Sequence, residues 1–283
     1  MNKTLISIVL SFVFINLLSA QSLQLFGEAK PGTVMFGIAE DAQQVMLDEK
    51  ILQLDGKGIF TLGFDRDAKG KHFLKVKYNN GDVEVKTLQL EKRKYKVQRI
   101  NNMDQNKVTP PSDQMNRIVR ERNEYNAAKK EIGKIDSAMF DNGFTRPVKG
   151  GRITGVFGSQ RILNGTPKSP HNGLDIANPR GTPVYAMADG NVIFIADTFY
   201  YAGSFVLIDH GQGLTSRYLH LSKKDVKPGD YVKKGQKIGE IGSTGRSTGP
   251  HLHWSIQWYD KRIDPQSILD VDFSYSEKYS DNL

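Results

Sequence analysis

Cysteine is absent from the 283-residue chain. Its absence excludes disulfides, thiolate metal sites, a cysteine nucleophile and a lipid-modified N-terminal cysteine. Long hydrophobic runs are also scarce. The main one spans residues 5–18, and no later segment reaches the roughly 18 apolar residues of a membrane helix. Because 38% of the residues are hydrophobic, the chain can still form buried cores, and we expect its stability to come from apolar burial.

The first 20 residues have the composition of a secretory signal. Lys3 precedes the short apolar run, which ends at Leu18-Ser19-Ala20 before polar residues. A charged start, a short apolar core and small residues at the end are typical of a signal peptide that is cleaved on export. We therefore predict a signal peptide over residues 1–20 and no stable membrane insertion of the mature chain.

The chain is basic, with 39 Lys and Arg against 31 Asp and Glu and a formal net charge of +8. A basic exported protein can bind an anionic wall polymer or acidic lipid, whereas export makes nucleic acid an unexpected partner. Charge alone does not choose between the polymer and the lipid.

Turn signals and strand patterns predict a mainly β protein with two domains. Residues 21–100 hold short apolar runs separated by turn residues, which favours a small β-sandwich. Residues 101–140 are predicted to form a linker and a helix with Ser112 as N-cap and a stripe from Met115 to Tyr125. Residues 146–270 are rich in glycine and closely spaced strands, which favours an open antiparallel barrel or sandwich with a catalytic groove.

The most informative segment is His251-Leu252-His253, which begins an alternating run up to Trp258. Apolar residues at 252, 254, 256 and 258 predict a half-buried strand whose other face carries both histidines. Two imidazoles on one face suit metal binding or proton transfer. This geometry does not decide which of the two would bind a metal.

A second pattern lies 80 residues earlier, at His171-Asn172-Gly173-Leu174-Asp175. Gly173 favours a bent segment that brings His171 and Asp175 together, unlike the helical H-E-x-x-H motif. Two imidazoles and one carboxylate are a known ligand set for catalytic zinc. Alone, however, so short a pattern is more often an ordinary turn histidine and turn acid.

Two further histidines lie between these patterns. His220, in Tyr218-Leu219-His220-Leu221, is predicted to share a strand face with Tyr218, where it would stabilise an oxyanion or move a proton, or serve only the structure. His210 precedes a glycine turn and has no neighbouring partner in the sequence, so we predict a structural role for it.

Several ordered motifs together resemble the catalytic domain of lysostaphin-type (LytM) zinc endopeptidases over roughly residues 146–266. They are His171 to Ala177, Gly181-Thr182-Pro183-Val184, Ala188-Asp189-Gly190, Tyr218 to Leu221, Gly242-Ser243-Thr244-Gly245 and Gly249 to Trp254. The resemblance implies Zn²⁺ as the cofactor, held by His171, Asp175 and His253. It implies that His220 and His251 assist catalysis.

The resemblance also implies the reaction: hydrolysis of peptide cross-links or stem peptides of bacterial peptidoglycan. Peptidoglycan is therefore the expected partner, and the periplasm the expected location. The sequence identifies no protein partner.

Two other functions compete with this one. Some proteins with this domain have lost zinc and instead regulate cell-wall amidases, but such a loss should replace ligands, and all five positions are intact here. The segment 227–239 also resembles the hairpins of biotinyl and lipoyl carriers. Those hairpins carry a lysine at the tip, and Ala188-Asp189-Gly190 has none.

Overall fold

A computed structural model describes residues 23–273 of the chain. The predicted signal peptide lies outside these residues. Among the helices that the model describes, none is long and apolar enough to cross a membrane. The described region is mainly β, with several open antiparallel sheets, as the sequence predicted.

Strands in the first part of the described region are β1 (Leu23–Phe26), β2 (Val34–Ala39), β3 (Ala42–Leu47), β4 (Lys50–Ile51), β5 (Ile59–Gly63), β6 (Gly70–Tyr78), β7 (Val83–Leu90) and β8 (Val97–Ile100). Those in the second part are β9 (Arg152–Gly155), β10 (Gln160–Leu163), β11 (Thr166–Pro167), β12 (Leu174–Ala177), β13 (Pro183–Tyr185), β14 (Gly190–Phe199), β15 (Gly203–Asp209), β16 (Leu214–Leu219), β17 (Leu221–Lys224), β18 (Tyr231–Val232), β19 (Lys237–Ile241), β20 (His251–Trp258) and β21 (Lys261–Ile263).

Helices are short. They are α1 (Gln105–Val108), α2 (Met115–Ala128) and α3 (Pro265–Leu269), with single 3₁₀ turns at Ser112–Gln114 and Lys129–Glu131 on either side of α2.

The N-terminal strands form two sheets, in the orders β1-β2-β5 and β4-β3-β6-β7. The hairpin predicted around residues 79–82 joins β6 to β7. The apolar core of these two sheets continues into the second β unit. Gly63 on β5 approaches the side chain of Trp258 so closely that a Cβ added at residue 63 would lie 3.0 Å from the indole ring. Buried residues from both units belong to one apolar cluster. The domain limits given above stay a prediction.

The largest sheet runs β18-β14-β15-β16-β20-β12-β9, with β21 beside β20. One face packs on the main core through Trp254, Ile256 and Tyr218, all fully buried. The opposite face carries a smaller apolar cluster that includes Phe205 and Leu219. Cross-strand partners share a face, and Leu219 pairs with His253, so this second face is the one that carries the histidines.

One sheet departs from the expected antiparallel order. β8 pairs in parallel with β10, which also pairs with β11. Val97 to Ile100 had been placed in the N-terminal sandwich, yet they align beside Gln160 to Leu163. Parallel partners lie far apart along the chain and leave no hairpin signal, so the sequence did not reveal this pairing.

Helix α2 is shorter than predicted, and its N-terminus differs from the prediction. Ser112 opens a 3₁₀ turn instead of capping the α-helix, and α2 itself begins at Met115. Met115 is 47% exposed, so the predicted stripe packs only in part. Tyr125 provides the packing, since its ring lies 6.0 Å from that of Phe205 on the histidine-bearing sheet face.

Candidate active site

Strands β12 and β20 place Asp175 directly opposite His253. The predicted alternation of β20 is confirmed, because Leu252 and Trp254 are fully buried on the core side. The facing side chains meet at short range, with His253 Nδ1 2.7 Å from Asp175 Oδ1. The register of two antiparallel strands therefore joins the two sequence patterns.

His171 completes a cluster of three. Its backbone is held on both sides, as its N–H donates to the Ser159 carbonyl and its own carbonyl accepts from the Gly158 N–H. His171 Nε2 lies 3.0 Å from Asp175 Oδ1 and 3.0 Å from His253 Nδ1. Nitrogen and carboxylate oxygen atoms of these three buried residues form a group that can hold a metal ion. The bent approach of His171 to Asp175 was predicted.

The hydrogen bonds around the cluster favour a cation at its centre. His171 Nδ1 lies 3.0 Å from the Val156 carbonyl oxygen, and since a carbonyl can only accept, the neutral form of the ring has its proton on Nδ1. The Nε2 lone pair of His171 then faces His253 and Asp175. Metal-binding histidines are commonly fixed in this way by a carbonyl partner.

Asp175 is ionised in this setting. Burial alone would raise the pKa of its carboxyl group, but the interactions with the adjacent rings of His171 and His253 outweigh burial and hold the pKa well below its ordinary value. A buried carboxylate between two imidazoles is a hard negative ligand, which suits a divalent cation.

His251 projects from the same face of β20 but stays outside the cluster. Its Nδ1 donates to the Gly249 carbonyl at 2.8 Å, and its Nε2 lies 3.9 Å from Asp175 Oδ1. The strand pattern left open which of the two would bind a metal; His253 lies in the group that could hold a metal ion, and His251 lies at its edge.

His220 reaches the same place by a different route from the one predicted. β16 ends at Leu219, and His220 has a φ of 65°, a left-handed conformation that is rare for a residue other than glycine. This turn separates it from Tyr218, whose hydroxyl accepts from Met187 N–H in the core. The predicted common face of Tyr218 and His220 is therefore wrong. The ring of His220 lies 4.8 Å from that of His251.

The orientation of His220 is fixed by the loop before β20. Its Nδ1 donates to the Thr244 carbonyl at 2.7 Å, so Nε2 is the free nitrogen. Burial, with the neighbouring His253 and His251 acting in the same direction, lowers the pKa of His220 to about 3. Burial likewise lowers the pKa of His253 to about 4. Both rings are neutral at pH 7.

Comparison with known proteins identifies the family. The model of peptidase family M23 matches residues 169–265, which include every residue of the cluster. A crystal structure of a Pseudomonas aeruginosa protein assigned to peptidase M23 is 30% identical, covers 86% of this chain and 95% of that protein, and superposes with a TM-score of 0.60. The chain belongs to peptidase family M23. The resemblance found in its motifs is confirmed.

Curated relatives match the M23 region with higher identity. Peptidoglycan DD-endopeptidase ShyA of Vibrio cholerae is 49% identical over 106 residues, which are 37% of this chain and 24% of ShyA. DD-carboxypeptidase/endopeptidase Mpg of Neisseria meningitidis is 44% identical over 98 residues, 35% of this chain and 22% of Mpg. The matched region thus spans about a quarter of these relatives' length.

Sequence reasoning missed one charged residue of this M23 site. Arg161 on β10 donates from Nη2 to Asp175 Oδ2 at 3.0 Å, the oxygen that points away from the histidines. Gln98 on β8 accepts from Arg161 Nε at 3.3 Å. The thirteen residues between Arg161 and Asp175 gave no periodic signal, and the β8–β10 pairing was not foreseen.

The two remaining histidines lie away from the cluster. His210 is fully buried, with Nδ1 2.6 Å from the Asp189 carbonyl and Nε2 2.7 Å from Ser216 Oγ, in agreement with the structural role predicted for it. His72 contacts Asp48 in the N-terminal sheets.

Proposed function

We propose that this protein is a zinc-dependent endopeptidase that hydrolyses peptide cross-links or stem peptides of bacterial peptidoglycan. One observation carries the proposal: His171 Nε2, Asp175 Oδ1 and His253 Nδ1 converge within 3.0 Å, and two further histidines flank them. The DD-endopeptidase activity in the names of relatives such as ShyA supports the choice of substrate.

Zinc is the metal that fits this donor set. Two imidazole nitrogens and one carboxylate oxygen make a three-ligand site with an open fourth position, and the site has no thiolate because the chain has no cysteine. When bound, zinc activates water at neutral pH and polarises a peptide carbonyl. His171, Asp175 and His253 are the residues that would hold it.

His251 is proposed as the general base. Hydrolysis of an amide transfers a proton from water to the departing amine, so the enzyme needs a group that accepts this proton and then donates it. His251 Nε2 has a free lone pair, because Nδ1 is committed to the Gly249 carbonyl. It faces the candidate metal-binding group at 3.9 Å from Asp175 Oδ1.

His220 is proposed to orient the attacking water. The sequence left two catalytic roles open for it, to stabilise an oxyanion or to move a proton. A neutral His220 with its proton on Nδ1 presents an acceptor at Nε2, and an acceptor binds a water hydrogen, not an oxyanion. Its left-handed backbone conformation is the kind of local strain that functional sites retain.

The location is proposed to be the periplasm. This proposal depends on the composition of residues 1–20 and on the substrate, since peptidoglycan lies outside the cytoplasmic membrane. The basic net charge of the chain suits a wall polymer that carries carboxylates.

The test is digestion of purified peptidoglycans of different cross-link types by the zinc-loaded chain, followed by mass analysis. Loss of cross-linked dimers with the gain of one water per cut bond is the expected result, and His253→Ala should produce none. If the zinc-loaded chain cuts no peptide bond but increases the release of stem peptides by an added amidase, the regulator function replaces this one.

A further inference from the structure

Arg217 lies on the same sheet face as the metal-binding group. β16 and β20 pair Arg217 with Ser255 and Leu219 with His253, so Arg217 is one side-chain row from His253. Two residues along a strand correspond to about 7 Å. The guanidinium is thus close enough to contact a substrate whose scissile bond is at the metal.

The charge of Arg217 has no acidic partner among residues 23–273. Its Nε donates to Ser255 Oγ at 3.1 Å, and its guanidinium carbon lies 5.2 Å from the ring centre of Tyr125. Both contacts leave its charge uncompensated. Arg161 and Arg117, by contrast, pair with Asp175 and Glu121. A half-buried cation without a counter-charge favours binding of an anion.

A cavity opens beside Arg217. Its volume is about 330 Å³, and its walls are largely the side chains of Tyr125, Phe199, Tyr201 and Phe205, with Arg217 and Arg122 as the cationic residues of the lining. Ala202 also lines it, and the Ala202 carbonyl accepts from the backbone N–H of His220. The cavity is therefore next to the catalytic histidines.

Two details of the cavity point to an anionic ligand. The hydroxyl of Tyr125 is buried and has no hydrogen-bond partner among the described residues, although such groups are usually paired. The acid in the lining, Glu121, is already engaged by Arg117 Nε at 2.7 Å and by the backbone N–H of Tyr200 at 2.8 Å. A donor hydroxyl and a cation are thus left for an incoming group.

We infer that Arg217 and the Tyr125 hydroxyl form a subsite that binds a free carboxylate of the peptide substrate. The aromatic walls would contact the aliphatic part of the same residue, while Arg217 and Tyr125 donate to its carboxylate. This inference rests on the proposed function, because that function defines the peptide substrate. It assigns helix α2, which bears Tyr125, a part in substrate binding.

The experiment uses two synthetic cross-linked stem peptides that differ only in having free or amidated side-chain and terminal carboxyl groups. The zinc-loaded full chain should cleave the free acid with a kcat/KM at least about tenfold higher, mainly through a lower KM, as a charge-assisted hydrogen bond allows. Arg217→Gln should remove this preference by lowering kcat/KM for the acid alone. Tyr125→Phe should reduce the preference for the free acid several-fold, and Arg217→Lys should keep part of the preference that Arg217→Gln removes.

Controls separate binding from folding. Arg120→Gln removes a charge from an exposed residue of helix α2 and should leave kcat/KM unchanged for both peptides. Arg246 is a second arginine near the cavity, with its guanidinium carbon 4.5 Å from the ring centre of Tyr201. The inference is overturned if Arg217→Gln lowers kcat/KM equally for both peptides, or if Arg246→Gln removes the preference in its place. If the wild-type chain cleaves neither peptide, the proposed function fails, and calorimetric binding of the two intact peptides still decides whether Arg217 recognises the carboxylate.

Discussion

Asp175 and His253 lie directly opposite each other on paired strands, with 2.7 Å between Oδ1 and Nδ1. His251 lies on the same face of β20, yet its Nε2 is 3.9 Å from that oxygen. One pair of strands thus provides both the contact between two proposed ligands and the neighbouring histidine that is proposed as the base. This difference in distance is the basis for separating the two histidines by experiment.

Replacement of a ligand should abolish both zinc binding and activity. We expect His253→Ala and Asp175→Ala to lose the metal, because each removes one of three protein ligands. Elemental analysis of the purified variants, beside cleavage of cross-linked muropeptides, measures both properties. Retention of stoichiometric zinc by His253→Ala together with its loss by His251→Ala would reverse the assignment.

Replacement of a flanking histidine should leave zinc in place. His220→Ala and His251→Ala are expected to bind the metal normally while turnover falls by roughly 10² to 10⁴, the usual contribution of a positioned base or water-orienting group. The measurement is kcat with metal content determined on the same sample. A wild-type kcat for His220→Ala would make that residue structural.

The sequence predicted the site better where side chains follow a strand than where the backbone turns. The alternation from His251 to Trp258 placed both histidines on one face, and β20 has that form. His220 did not follow alternation, because its φ of 65° rotates it away from the face of Tyr218. No residue type near His220 marks such a conformation, since the loops that hold it, around Ala202 and Thr244, are distant in sequence.

Long-range pairing set the second limit. Arg161 contacts Asp175 only because β10 lies beside β8 and close to β12. Periodicity describes the face of one strand but not which strand is its neighbour. The antiparallel partners joined by hairpins, such as β6 and β7, were accessible from their turn residues, whereas the parallel pair was not.

Arg161 is expected to increase zinc affinity by orienting Asp175. Its positive charge should weaken metal binding, but its hydrogen bond to Oδ2 holds Oδ1 toward the histidines. Loss of a hydrogen-bond partner of a ligand commonly costs 10- to 100-fold in metal affinity, so we expect orientation to outweigh repulsion. Arg161→Gln should raise the zinc dissociation constant by roughly tenfold or more, as measured by competition with a chelator.

The matched control for this variant is Arg152→Gln, which removes an exposed charge on β9 of the main sheet. It should leave the dissociation constant unchanged. Tighter zinc binding by Arg161→Gln would mean that repulsion dominates.

Gly173 is expected to be required for the position of His253. A Cβ at residue 173 would lie 2.7 Å from His253 Nε2 and 2.5 Å from the Trp254 carbonyl oxygen, closer than real Cβ contacts. Gly173→Ala should therefore displace His253 and weaken zinc binding in the folded protein. Gly56→Ala, where a Cβ meets nothing within 4 Å, is the control. Equal zinc affinity of the two variants would contradict this account.

Two neighbouring buried residues, His210 and Asp209, should make the stability of the fold depend on pH in opposite directions. Burial lowers the pKa of His210 to about 4, so the unfolded chain binds more protons between about pH 4 and 6.5, and stability is lost as the pH falls through that range. Burial raises the pKa of Asp209 to about 6, against an opposing hydrogen bond from the Gly211 N–H. The folded chain then binds more protons between about pH 4 and 6, and stability is lost as the pH rises.

Asp209→Asn should therefore stabilise the protein at pH 7.5. The substitution removes a buried charge whose Oδ2 has no hydrogen-bond partner among the described residues, and it keeps an acceptor for Gly211 N–H. Thr215, directly opposite on β16, has a buried hydroxyl that is likewise unpaired there and offers an acceptor to the new amide. We expect a gain of about 1–3 kcal/mol at pH 7.5, or several degrees in Tm, shrinking toward zero near pH 4. Thermal unfolding of both proteins from pH 4 to 8 measures it, and a lower Tm for Asp209→Asn at pH 7.5 would show that the carboxylate has a partner essential to the fold.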